Sequence, residues 1–234
     1  MKTAYFLFHG NLNGLFGDAA EQERPFTFTL SPSLKDAMES MGVPHVEAGR
    51  LVVNGLPAGP GDPLRPGDRV EVFPVAPGHS GVPAFVADSH LGKLVRELRL
   101  LGLDTLYHDT CDEKELVRVS LESGRVILTR SLRVLKYSAL REGCLIRSED
   151  PVHQLREVTE RYELHRCARP FTRCLNCNGL IRATGKREVL DVIPPLTARY
   201  FDEFFRCTSC GKVYWKGSHY DRMLEFLRNQ GGLI

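Results

Sequence analysis

Two pairs of cysteines, Cys174-Leu-Asn-Cys177 and Cys207-Thr-Ser-Cys210, carry the plainest chemistry in the chain. Each is a C-x-x-C knuckle, and Gly179 and Gly211 lie just beyond the second cysteine of each pair. A tight turn that presents two thiolates to one metal needs a small residue nearby. Four sulfurs make a closed tetrahedral zinc site with no open position for chemistry, so the zinc expected here is structural. The gap between the knuckles is long for such a site and is expected to hold a hairpin or an inserted loop. The alternative is a redox pair or four unrelated cysteines, and two knuckles in one short stretch argue against it. Of the seven cysteines, Cys111, Cys144 and Cys167 remain. They read as reduced, mostly buried thiols of a cytoplasmic protein.

A second set is acidic: Asp88, Asp109, Asp112 and Glu115. Asp88 follows an apolar strand pattern, Asp109 and Asp112 follow the next one, and Glu115 falls one turn into the helix after that. Carboxylates from separate strand ends can converge on a hard cation such as Mg²⁺ or Mn²⁺, and such metals serve phosphodiester cleavage. The same acids suit a plainer role. Asp112 is placed to cap the following helix, Asp88 the one after its own strand, and loop acids are commonly just solvated.

A third set mixes cations and rings. Arg182, Lys186, Arg187 and Arg199 lie between the knuckles; Lys212, Tyr214, Trp215, Lys216, His219, Tyr220 and Arg222 lie beyond them. Such interleaving suits single-stranded RNA, because bases stack on aromatic faces while cations meet phosphates. Alternatively, Tyr214 and Trp215 pack the small ribbon and Tyr220 starts the core face of the last helix. His219 is not needed on a zinc that four cysteines complete. Arg96, Arg99, Arg130 and Arg133 are further candidates for phosphate contact. Residues 1–80 hold 6 basic and 9 acidic side chains, the remainder 25 and 20. A basic excess in the longer part permits nucleic-acid binding without requiring it.

These groups need a frame. The breaker-rich stretch Pro74-Val-Ala-Pro-Gly-His-Ser-Gly-Val-Pro83 divides two patterns. Before it, strands are expected at 3–9, 25–30, 49–54 and 69–74, with a helix at 33–40 capped by Ser31 or Ser33 and a turn at Asn54-Gly55. After it, strands at 84–87, 105–107, 125–129 and 144–146 alternate with helices over 91–101, 113–123, 132–140 and 152–162. This alternation implies α/β architecture, a parallel sheet flanked by helices, whose ligands bind at the carboxyl ends of its strands. The domains expected are 1–78, a linker at 79–83, 84–168, and a zinc ribbon with a terminal helix at 169–234. No apolar run is long enough to span a membrane, and the first ten residues lack the form of a secretory signal.

Leu51-Val-Val-Asn-Gly55 and Leu64-Arg-Pro-Gly-Asp-Arg-Val-Glu-Val-Phe-Pro74 resemble ubiquitin-like β-grasp domains of the sulfur-carrier type. Those carriers end in an activated Gly-Gly tail, whereas this chain runs on through Pro74, so docking or scaffolding is the expected role. Phe85-Val-Ala-Asp-Ser-His-Leu-Gly-Lys-Leu94, Leu98-Arg-Leu-Leu-Gly-Leu-Asp-Thr-Leu-Tyr107, Val126-Ile-Leu-Thr-Arg130 and Tyr214-Trp-Lys-Gly-Ser-His-Tyr220 resemble the Mut-seven-C RNase domain family. That resemblance covers 84–227 and implies a PIN-like fold, a zinc ribbon, RNA as partner and metal-dependent nuclease ancestry. It carries Asp88 and Asp112 over as metal ligands, with Asp109 and Glu115 as helpers. The family pattern Thr-Arg-Asp stands here as Thr129-Arg130-Ser131, and the next acid downstream is Glu142. Ser131 can hydrogen-bond but supplies no charge, which weakens a Mg²⁺ site. The leading expectation is a ribonuclease with reduced activity. The alternatives are a non-catalytic factor for transfer RNA, ribosomal RNA or the ribosome, and an adaptor that recruits a protein through its β-grasp domain.

Overall fold

The computed structural model describes residues 1–17, 21–107 and 112–229; Asp109 and Cys111 lie outside the described residues. Its elements are β1 (Lys2–Phe8), β2 (Glu23–Phe28), α1 (Leu34–Ser40), β3 (Ala48–Val53), β4 (Leu56–Ala58), β5 (Arg69–Pro74), β6 (Phe85–Ala87), α2 (Gly92–Leu100), β7 (Thr105–Tyr107), α3 (Glu113–Ser123), β8 (Val126–Thr129), α4 (Leu132–Leu135), β9 (Gly143–Leu145), α5 (Pro151–Tyr162), β10 (Ile181–Thr184), α6 (Pro195–Tyr200), β11 (Phe204–Cys207), β12 (Val213–Trp215) and α7 (Ser218–Asn229). Two compact units interleave across the composition change near residue 80. One joins Met1–Pro77 to Asp112–Leu145, and the other joins Gly78–Cys111 to Ile146–Ile234.

In the first unit β1 alternates, with Ala4, Phe6 and Phe8 fully buried, as a sheet packed on one face requires. The sheet order is β2-β1-β5-β3-β4, with β1 parallel to β5 and the remaining neighbours antiparallel. This is the β-grasp arrangement, and α1 closes its core with Leu34, Ala37 and Met38. Ser33 caps α1 by accepting the Asp36 N–H, while Ser31 donates its hydroxyl to the Leu64 carbonyl. Ser33 is thus the cap.

The same unit carries α3, β8, α4 and β9, with β8 parallel to β9. Three polar contacts tie them to the β-grasp part. The fully buried Glu47 accepts the Leu145 N–H at 2.9 Å. Lys136 donates to the Glu39 carbonyl at 2.6 Å, and the His45 ring lies 2.9 Å from the Leu140 carbonyl. One element here is shorter than expected. A helix over 132–140 was expected, but α4 stops at Leu135 and the chain continues in single turns closed by Tyr137 and Leu140 N–H groups. A helix ending at Leu140 would leave the carbonyls of its last turn without intrahelical partners, and Ser138 and Leu140 give theirs to Lys35 and His45.

In the second unit β6 and β7 run parallel, and α2 buries Leu94, Val95 and Leu98 on one face. Gly102 ends the α2 segment with φ +84°, where a Cβ would come within 2.0 Å of the Arg169 carbonyl oxygen. Only glycine permits both that backbone and that approach. The ribbon sheet is antiparallel, in the order β10-β11-β12. The long gap between the knuckles holds β10, a turn at Lys186–Glu188 and α6, closed over Val189, Ile193 and Phe204. The expected α/β class therefore stands: parallel strands with flanking helices, a β-grasp region and a four-cysteine cluster. Among the described residues no helix is long and apolar enough to cross a membrane.

Candidate metal centre and nucleic-acid interface

The ligand atoms of Cys174, Cys177, Cys207 and Cys210 all lie within 4.8 Å of one another. Cys174 and Cys210 are 3.6 Å apart, Cys177 and Cys207 3.4 Å. A tetrahedron with 2.3 Å Zn–S arms has edges of about 3.8 Å, so the four sulfurs fit one zinc with little movement. The two knuckles solve their turns differently. Gly211 takes φ +73° itself, whereas in the first knuckle Asn178 takes φ +68°. Gly179 instead supplies clearance, because a Cβ there would lie 2.5 Å from Ser209 Oγ and 2.9 Å from Cys207 Sγ. The Tyr214 hydroxyl lies 3.0 Å from Cys174 Sγ. Burial opposes ionisation of Cys174. The Tyr214 hydroxyl and the backbone N–H groups of Cys177 and Asn176 outweigh it and bring the thiol down to about 6.

Hydrogen bonds bolt the first knuckle to the end of α2 and the start of β7. Asn178 donates to Asp104 Oδ1 at 2.7 Å and accepts the Thr105 N–H at 3.1 Å. Arg173 reaches Asp104 at 3.1 Å and the Asn178 carbonyl at 3.0 Å. Arg99, a phosphate candidate by sequence, has this structural task instead. It is 6 % exposed, and its guanidinium donates to the carbonyls of Thr105, Leu175 and Asn176. Each such bond orients backbone around the sulfurs, the usual task of a metal's outer partners.

Two concavities lie beside this centre. A cavity of about 270 Å³ is walled by Leu100, Pro170, Phe171, Arg173, Leu175, Ile181, Phe205, Tyr214, Trp215, Lys216, Tyr220 and Met223. A groove of about 400 Å³ shares Leu100, Leu175 and Met223 with it and adds Lys93, Arg96, Glu97, His219, Arg222 and Phe226. Of the residues expected to meet RNA, Trp215, Lys216 and Tyr220 line the cavity, and Arg96, His219 and Arg222 line the groove. Lys212 sits with its ammonium 5.8 Å from the Tyr214 ring centre. Trp215 also packs on Val189, Ile193 and Phe204, the core role considered for it. Arg130 and Arg133 belong to the other unit, where Arg133 pairs with Glu113 at 2.7 Å.

Phe171, Phe205, Lys93 and Met223 were not singled out by sequence. Phe205 was legible in part, since it pairs with Tyr214 across the ribbon and residues paired in register share a face. Phe171 carried no sequence signal. Its φ of +63° is unusual for a bulky side chain and costs about 1–3 kcal/mol, held by its N–H on the Leu100 carbonyl.

Among the acids, Asp88 accepts the His90 N–H at 2.9 Å and caps the turn that leads into α2. Asp112 accepts the Glu115 N–H at 2.8 Å and caps α3, as its position suggested. Glu115 binds Arg118 through both oxygens, at 2.6 and 2.7 Å. Asp88 belongs to the second unit; Asp112, Glu115 and Ser131 belong to the first. Ser131 is not without an acid, although none follows it closely in sequence. Its hydroxyl donates to Glu113 Oε1 at 3.2 Å. Glu113 stands in the first turn of α3, next to Asp112, and its other oxygen holds Arg133.

The Mut7-C RNAse domain model matches residues 83–227, and the Mut7-C ubiquitin model matches residues 1–78. Comparisons with curated proteins and with solved structures give no match. The first match spans well over half the chain and takes in the four cysteines, both concavities, the acids and Ser131. With the β-grasp sheet over the residues of the second match and the four-sulfur centre inside the first, the chain belongs to the Mut7-C RNAse domain family and carries the Mut7-C ubiquitin-like domain ahead of it.

Proposed function

We propose that this protein binds single-stranded RNA on its zinc-ribbon unit and is a metal-dependent ribonuclease of reduced activity. The observation that carries the binding half is the placement of six expected RNA contacts on two adjoining concavities of one unit. Family membership supports the nuclease half. In this reading Asp88 and Asp112 hold Mg²⁺ or Mn²⁺, with Asp109 and Glu115 as helpers. The metal supplies Lewis acidity for hydrolysis of a phosphodiester. Ser131 contributes a hydroxyl where the family has a carboxylate, and Glu113 offers its carboxylate beside that hydroxyl. Because Arg133 already engages Glu113, this compensation is partial.

The acids double as helix caps, which dictates the test. Asparagine caps a helix about as well as aspartate but removes the charge. Asp88→Asn and Asp112→Asn should therefore leave stability within a few tenths of a kcal/mol of the parent while abolishing Mn²⁺-dependent RNA cleavage. Ser131→Asp should raise cleavage. Cleavage by both Asn variants at the parental rate would remove these acids from the reaction. The second reading, a binding factor without catalysis acting on transfer RNA, ribosomal RNA or the ribosome, is favoured by Ser131 and by the Glu113–Arg133 pair. An inert wild type that still binds RNA, with affinity falling steeply in salt as counterions are released, would establish it.

A further inference from the structure

The cavity and the groove are built differently, and the difference points to a divided task. Rings dominate the cavity. Phe171 and Tyr220 meet at 4.4 Å between ring centres, tilted by 38°, and Phe205 pairs with Tyr214 on the ribbon sheet. The Lys216 ammonium lies 5.9 Å from the Phe205 ring centre. These rings are only half-buried, so part of their surface faces the cavity. The groove adds basic side chains to an otherwise largely apolar lining. Lys93 and Arg96 stand three residues apart on α2, His219 and Arg222 three apart on α7, so each pair shares a helix face. Among the described residues no ion pair holds Lys93, Arg96 or Arg222. Glu97 is the one acid lining this groove, and its Oε2 is buried with no hydrogen-bond partner among the described residues. Burial and then Asp150 push its carboxyl up to about 7, against the pull of Lys93, so below that pH the groove carries cationic charge with little opposition.

An apolar, ring-lined cavity that opens beside an unneutralised cationic groove matches one repeating chemistry: a flat aromatic base joined to an anionic phosphate. Resting on the RNA-binding reading above, we infer that the cavity takes one unstacked nucleobase of single-stranded RNA while the adjoining phosphate lies in the groove. Phe171 and Tyr220 form one wall, and Phe205 with Tyr214 forms another. The left-handed backbone at Phe171 has a place in this picture. Strain of this kind persists where the surroundings over-determine a conformation, and it collects at ligand clamps. The cavity's size suits a single base rather than a folded strand, and a base on these rings is held through its π-face, which every base possesses. Recognition should thus be tolerant of sequence but intolerant of a missing base. Duplex RNA, whose bases are stacked inside, should bind poorly.

The test uses the zinc-loaded, full-length wild type and a set of short single-stranded RNAs, each lacking the base at one position. Removal of the base that occupies the cavity should weaken binding by about 5- to 150-fold. 2-Aminopurine at that position should lose fluorescence on binding, and Tyr220→Leu or Phe171→Leu, with zinc content and unfolding midpoint checked, should restore it. If every abasic RNA binds as tightly as the intact strand, the base pocket is overturned while RNA binding stands. If the intact strand does not bind at low salt, the RNA reading itself fails and the pocket with it. Quenching that survives both substitutions would place the base elsewhere and overturn the assignment.

Discussion

The cysteine knuckles and the acidic strand ends make an instructive pair. Both are sets of metal-binding residue types, and both stand at chain reversals. The four cysteines belong to one compact unit and have no competing task, since their sulfurs gather within 4.8 Å. The acids are divided between units, and the described ones are already engaged: Asp88 and Asp112 as caps, Glu115 on Arg118. A thiolate is poor at capping or surface pairing, so cysteine pairs have few uses, and two of them gathered at one point select metal binding over redox chemistry. A carboxylate has several, so its presence at a strand end does not select among them.

The contrast yields predictions of decreasing size. Zinc should be present at one per chain, and Cys207→Ser should release it and open the ribbon to proteolysis, because structural zinc sites carry about 10–16 kcal/mol of binding free energy coupled to folding. Elemental analysis finding no zinc in protein purified without chelator would erase the contrast. Gly102→Ala, where a Cβ would strike the Arg169 carbonyl in a left-handed backbone, should cost about 3 kcal/mol in denaturant unfolding. Asn178→Gly keeps the left-handed turn but drops the bonds to Asp104 and Thr105. It should cost about 2 kcal/mol and weaken zinc binding about 10- to 100-fold in a competition titration. An unchanged zinc affinity would mean the knuckle does not depend on its bolt to α2 and β7.

On the acidic side the expected stability effects are smaller. Asp112→Ala should cost about 1 kcal/mol for the lost cap, and Asp112→Asn almost nothing. An equal loss from both would show that charge, not capping, is what α3 uses there. Outside this ordering stands the pH dependence that Glu97 contributes. Its folded carboxyl titrates near 7 rather than at its unfolded value of 4.5, so the folded state holds a proton that the unfolded chain releases. Stability should therefore fall as pH rises from about 4.5 to 7 and stay reduced above that. Glu97→Gln should flatten this part of the profile in denaturant midpoints measured at about pH 5 and pH 8. A fall that persists unchanged in the variant would assign the slope to another group.

Much of this was legible because it is local. The Asp112 cap and its helix, and the strands β5 and β7, follow from patterns within a few residues. The failures were tertiary. Beyond the shortened α4, the carbonyls of Ser138 and Leu140 meet Lys35 and His45, about a hundred positions away in sequence. Arg99 looked like a surface cation because nothing nearby in sequence reveals that Leu175 and Asn176 will turn their carbonyls onto it.

By itself the sequence determined the two cysteine knuckles, the helix caps, the β-grasp strands and the excess of cations in the longer part. Spacing, period and residue type, read along the chain without reference to packing, are enough for these. The tertiary structure alone decided that Glu113 stands beside Ser131, that Asn178 reaches Asp104, and that Phe171 meets Tyr220 over a cavity. Those meetings depend on how elements distant in sequence are packed and registered against one another. No local pattern encodes them, because the same caps, strands and knuckles would form equally well in many packings, and only the burial and hydrogen bonding of the whole selects one.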